Sequence, residues 1–220
     1  MQSLTTIQAL AAGAVPLLFA VTLHEAAHGW LASRMGDPTA QRMGRLSLNP
    51  MRHIDPVGTL LVPAATFVLT GFIFGWARPV PIDASHFAHP RRGMALVALA
   101  GPMANLFMAL GWALVIRLAQ GLSGLPWIAE PLFAMGLMGV GFNVILGVLN
   151  MLPIPPLDGS HVLAGLLPSH MAAAYARLAP YGMIILLLAL VSGLLGPILA
   201  PMAELARQAV LAAAGLRITG

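Results

Sequence analysis

The chain contains no cysteine and no lysine. The first absence removes disulfides and thiolate metal sites together, so any metal must be held by nitrogen and oxygen ligands. The second leaves eleven arginines to balance seven acids, and most of these arginines fall between apolar runs. Charged residues make up only 8% of 220 residues and aromatics 6%, whereas 59% are hydrophobic. A soluble domain carries about three times that share of charge. With no basic stripe interleaved with aromatics, nucleic acid is excluded as a partner, and the arginines read as loop markers facing anionic headgroups of a lipid bilayer. The expected fold class is an all-α polytopic membrane protein of one domain, residues 1–220, with a catalytic core over about 8–165 and C-terminal helices over about 170–216. The N-terminus has neither a basic leader nor a small-residue cleavage site, so residues 8–32 are expected to remain as a span.

Apolar run lengths and arginine positions suggest a topology of about five to six membrane helices. Residues 8–32, 93–118, 130–151 and 180–195 are long or apolar enough to span, and 202–216 is an amphipathic or spanning helix. The arginine-rich stretch 34–55 is expected on the cytoplasmic side. Residues 57–76 are apolar, yet Arg78, Arg91 and Arg92 follow them as other arginines precede them. Both flanks then belong on one side, and about twenty residues cannot cross twice, so a re-entrant segment is expected, turning at Pro63, Gly71 or Gly75. Two extended elements are expected near the site: a short hairpin or edge strand in Ala40–Pro50, and the proline-punctuated stretch 75–82. Arg117, at the outer end of its span, breaks the charge rule.

Within the first span stands His24-Glu25-Ala26-Ala27-His28. Histidines four residues apart on a helix point from one face, so both rings can reach one metal ion, with Glu25 beside them to polarise a water. Glu25 lies nine residues before Arg34, about 13 Å along the helix, which puts the motif inside the hydrocarbon but near one surface. Ionisable groups at such depth mark functional sites by default. Asp158, after Pro153, Pro155 and Pro156 have broken the preceding span, is the candidate third ligand. Its competing reading is a helix N-cap; with the two histidines in the same chain, the ligand reading is preferred. Two histidines and a carboxylate leave an open fourth position, the arrangement of a catalytic zinc site with one Zn2+ per chain, although iron, cobalt or manganese suits similar ligands. Asn150, and after it Asn143, is a candidate donor to a developing oxyanion; the competing role of both is interhelical hydrogen bonding. Asn105 reads first as part of a small-residue packing segment, His161 as an outer contact of the site or a helix-surface group, and His53, His86 and His89 as solvated loop side chains.

Taken together, His24–His28, Gly101-Pro102-Met103-Ala104-Asn105 and Asn150-Met151-Leu152-Pro153-Ile154-Pro155-Pro156-Leu157-Asp158-Gly159 resemble the site-2 protease family of intramembrane zinc metalloproteases. Gly44–Pro50, His53–Pro56 and Gly75–Pro81 also look like that family's loops, and the resemblance covers roughly residues 20–165. It implies hydrolysis of a peptide bond in or near the transmembrane segment of a protein substrate, usually after another protease has removed the substrate's outer part. It further implies that His24, His28 and Asp158 carry zinc, that Glu25 activates water, and that Asn150 positions substrate or stabilises the intermediate. The expected location is a bacterial plasma membrane, with the site near the cytoplasmic face. Ser160 stands where the family commonly has a second glycine, and no PDZ or CBS domain fits in the chain, so a compact form is expected. The alternative is a zinc transporter or channel using the same His/His/Asp cluster; against it, the ligands lie in one spot and no internal repeat is visible.

Overall fold

The structure is a computed structural model that describes residues 5–62, 66 and 75–216. The first helix, α1 (Thr6–Arg34), opens on a capping box. Thr5 Oγ accepts from Gln8 N while Gln8 Oε1 accepts from Thr5 N, satisfying two donors that a helix start leaves free. At 29 residues α1 is about 43 Å long, more than a hydrocarbon core requires. A single turn follows, α2 (Thr39–Arg42), and then two further turns at Pro50–Arg52 and Pro56–Leu61.

The bundle is built on the antiparallel pair α3 (Pro90–Gly121) and α4 (Pro126–Asn150). Lipid tails are as apolar as the side chains, so helices here associate by close packing, which small residues permit. A Cβ on Gly136 would stand 2.5 Å from Ile116, and one on Gly139 would stand 2.2 Å from Trp112. Either substitution would push the pair apart. Ala109, Ala113, Ile116, Val140 and Val144 fill the seam. Beyond the proline-rich break come α5 (Asp158–Leu166), α6 (Ser169–Ala176), α7 (Gly182–Val191) and α8 (Gly196–Ala213). Helix α8 closes over the α3–α4 seam with Val210 and Leu211 and carries Glu204, Arg207 and Gln208 as a bonded polar cluster.

Three helical runs among the described residues are long and apolar enough to cross a membrane: Pro90–Gly121, Pro126–Asn150 and Ser169–Val191, the last interrupted by turns. The expected five to six spans are thus not all met by that measure. Helix α8 falls short because its polar cluster interrupts the apolar run. No strand occurs among the described residues, so the expected hairpin at 40–50 does not form. Asp37 Oδ1 accepts from Thr39 N, which coils Thr39–Arg42 into a turn, and Gly44 ends it at φ +63°. Arg117 also finds an explanation. Its guanidinium donates to Ala214 O at the C-terminus of α8, where Gly215 at φ +72° leaves room for it. It serves a carbonyl rather than a headgroup.

The direction of the helices constrains the connection between α1 and α3. His28 meets Val97 and His24 meets Asn105, so α1 and α3 run antiparallel, and the chain leaves α1 and enters α3 on the same side. Trp76 N donates to Gly58 O at 3.0 Å, which brings the two ends of the apolar stretch 57–76 together. Most of the expected re-entrant segment, residues 63–65 and 67–74, lies outside the described residues.

Candidate metal centre

His24 and His28 lie one turn apart on α1 and are 8% and 7% exposed. Their Nε2 atoms are 3.1 Å apart. Asp158, on the first turn of α5, brings Oδ2 to 3.2 Å from His24 Nε2 and Oδ1 to 3.4 Å from His28 Nε2. Among the described residues these three are the one group of metal-ligating side chains drawn together, with one donor atom of each within 4.8 Å of the others. The competing reading of Asp158 as a cap fails: Leu157 occupies the N-cap and no side chain caps α5. Gly159 makes the turn possible, since a Cβ there would lie 2.2 Å from Met151 O. At the far end of α5, Arg91 of α3 donates to Ala164 O at 2.9 Å and to Leu167 O, so a cation sits at the C-terminus and the carboxylate at the N-terminus.

The protonation of the rings follows from what lies behind them. His28 Nδ1 is 2.7 Å from Val97 O, and a carbonyl can only accept, so Nδ1 carries a hydrogen and in the neutral ring Nε2 is a bare lone pair. His24 Nδ1 is 2.6 Å from Asn105 Oδ1. With both rings neutral, two Nε2 lone pairs and a carboxylate converge within 3.4 Å, and Asp158 Oδ2 is buried with no donor on it. Such a set is repulsive until a cation fills it, and its nitrogen and oxygen atoms suit zinc. Gly101 of α3 forms the floor. A Cβ there would lie 2.4 Å from His28 Nε2 and 2.6 Å from His24 Cε1, so any side chain would intrude between the rings.

Residues 123–190 match the family described as Peptidase family M50. YwhC of Bacillus subtilis (strain 168), named "Putative zinc metalloprotease", is 36% identical over 199 residues, covering 90% of this chain and 88% of YwhC. The chain belongs to peptidase family M50, the site-2 protease family. Rip2 of Mycolicibacterium smegmatis, under the same description, is 33% identical over 177 residues, 80% of this chain and 64% of Rip2. No solved structure matches the chain. The M50 peptidase is accordingly a zinc metalloprotease of membranes.

The remaining candidates lie as follows in this M50 peptidase. Glu25 is half-buried, and its Oε2 accepts from Val80 N at 2.9 Å. Val80 belongs to the irregular stretch 75–83, which passes close over α1 because Gly29 has no side chain; a Cβ there would stand 3.0 Å from Val80 Cγ1. Three N–H groups of this stretch are directed into the protein: Trp76 N to Gly58 O, Arg78 N to His53 O and Val80 N to Glu25. Pro79 and Pro81 have no N–H, and Arg45 donates to the carbonyls of Arg78 and Pro79. Few donors are left there to pair with a peptide. Asn150 is not drawn into the cluster; its Nδ2 donates to Leu146 O one turn back on α4. His53 is buried rather than solvated, with Nε2 donating to Ser47 O at 2.8 Å, and His86 faces Asp37 at 3.3 Å.

Asp37, in the corner after α1, is fully buried and receives Asp83 N at 2.7 Å, which ties down the far end of the stretch 75–83. Burial works against its charge, but hydrogen bonds from the Thr39 hydroxyl, Asp83 N and Thr39 N, with His86 nearby, hold its carboxyl below the usual carboxylate range.

Gly101 and Asn105 were legible only as packing residues. A signal was present: they are spaced four apart, as the two histidines are, so each pair presents one helix face and the faces can meet turn for turn.

Proposed function

We propose that this M50 peptidase hydrolyses a peptide bond within or beside the transmembrane segment of another membrane protein, one already shortened by a different protease. His24, His28 and Asp158 hold one zinc ion. The observation that carries this reading is the convergence of His24 Nε2, His28 Nε2 and the Asp158 carboxylate at the end of apolar helices, with Gly101 leaving the space between the rings clear. When bound, zinc is a Lewis acid that acidifies water and polarises a carbonyl.

Glu25 is the general base. Its carboxylate takes a proton as the water oxygen bonds to the scissile carbon, and gives that proton to the leaving amine as the carbon–nitrogen bond breaks. The Val80 N–H fixes one oxygen of the carboxylate, which limits the rotamers Glu25 can adopt. Asn150 stabilises the oxyanion only after its amide releases Leu146 O, a rotation of the side chain at the last residue of α4. An apolar cavity of about 500 Å³ on the adjoining face of α1, lined in part by Leu23, Ala27, Trp30, Leu48 and Phe107, offers a transmembrane substrate a surface to lie against. By the arginine distribution the site faces the cytoplasm.

Purified protein in detergent, given a membrane-protein substrate, is expected to cleave it. Glu25→Gln is expected to bind one zinc per chain and to lose turnover. Cleavage at the normal rate by the Gln variant would show that another group is the base.

A further inference from the structure

We infer that Asn105 is a positioning residue for the metal centre: it sets the tautomer and direction of the His24 ring, and Asn143 in turn sets Asn105. The inference rests on the metal-site reading above and goes beyond the ligands themselves.

The argument runs along a chain of buried amides. Asn105 of α3 and Asn143 of α4 are both 0% exposed, deep in spans where an unbonded amide is costly. At the far end, Asn143 lies 2.8 Å from Gly139 O. A carbonyl only accepts, so Asn143 must turn its Nδ2 toward it and present Oδ1 to Asn105. Asn105 must then direct Nδ2 at that oxygen, 2.9 Å away, and the same nitrogen lies 3.3 Å from Ala20 O, a second carbonyl. Its Oδ1 is thereby left for His24 Nδ1 at 2.6 Å. An oxygen there requires Nδ1–H, which bares Nε2 toward the metal. Backbone carbonyls thus fix the direction of every link, and neither amide can flip without facing oxygen to oxygen. For His28 the same task falls to Val97 O, which no side-chain substitution removes. Only the His24 ring depends on side chains for its tautomer.

The test is the zinc dissociation constant of the purified full chain, read by competition with a chromogenic chelator, alongside the thermal midpoint of the zinc-free protein. Asn105→Leu keeps the branched side-chain shape and removes the acceptor. It is expected to weaken zinc about 10–100-fold, as loss of an outer hydrogen bond to a ligating histidine does. Asn105→Asp retains an oxygen for His24 and, when protonated, a donor for Asn143, so it is expected to stay within a few-fold of wild type. Asn143→Leu frees Asn105 to flip and is expected to fall between the two.

A merely structural asparagine would lower the zinc-free midpoint without producing this order of affinities. Unchanged zinc binding in Asn105→Leu would overturn the inference. Should that variant fail to fold, unchanged binding in Asn143→Leu would overturn it equally. His24→Ala separates the two levels: if it binds zinc like wild type, the metal site itself is misassigned. If it loses zinc while Asn105→Leu does not, only the positioning role falls.

Discussion

Behind the two histidines both hydrogen-bond partners are buried groups of α3, with Asn143 of α4 backing Asn105, whereas Glu25 is held by a single N–H of the irregular stretch 75–83. The first set is embedded in helices whose packing tolerates no added methyl at Gly101, Gly136 or Gly139. The second hangs on a segment secured at a few points, Trp76 to Gly58, Arg78 to His53 and Asp83 to Asp37. The difference matches what each side has to do. Metal ligands need a fixed geometry to keep affinity, while a proton carrier beside a substrate path must tolerate a neighbour that shifts when a peptide enters.

The sharpest way to break the rigid side is Gly101→Ala. Its methyl would stand 2.4 Å from His28 Nε2, and neither ring can retreat without losing Val97 O or Asn105. Zinc binding is expected to drop by more than the about 10–100-fold that an outer hydrogen bond is worth, as measured by metal content after dialysis. Should Gly101→Ala hold zinc normally, the rings would have to be much freer than their contacts indicate.

The looser side is probed by Val80→Pro, which deletes the N–H on Glu25 between two existing prolines. Turnover is expected to fall about tenfold, the equivalent of ~1.4 kcal/mol for one hydrogen bond to a charged group, with zinc affinity unchanged. A fall in zinc affinity as well would erase the distinction between the two sides. A smaller effect is expected from Asp37→Asn, about 1 kcal/mol of stability in detergent, because one oxygen acceptor remains. Since the Asp37 carboxyl is held below its ordinary value, its contribution is fully present above about pH 4 and is lost as pH falls through the lowered value. Wild type and Asp37→Asn should therefore converge in stability only in acid. Convergence near neutral pH would mean that the buried carboxylate does not anchor the stretch.

Much of the centre was legible before any coordinates. His24 and His28 are a local pattern whose meaning depends only on helical spacing, and Asp158 was marked by the prolines that break the span ahead of it. Less legible were residues whose roles depend on what another helix presents. Asn150 stands close to Asp158 in sequence, yet its amide turns back to Leu146 O, while Asn143, in the interhelical hydrogen-bonding role its place in a span allows, and Asn105, which reads first as a packing residue, line up behind His24. Arg117 contradicted the charge rule until the end of α8 was seen to lie against it. The stretch 40–50 has enough alternation to suggest a strand, but Asp37 at its entrance nucleates a turn instead.

The sequence by itself determined that the chain is a membrane protein with an aqueous-type metal motif inside an apolar helix, because composition and a four-residue period are properties of the chain alone. Only the tertiary structure decided which nitrogen of each ring faces Asp158, why residue 101 must be glycine, and that the amides of Asn105 and Asn143, on two helices, are joined in one direction with the His24 ring of a third. Those facts rest on carbonyls that accept and cannot donate, and on distances between helices that no linear pattern records.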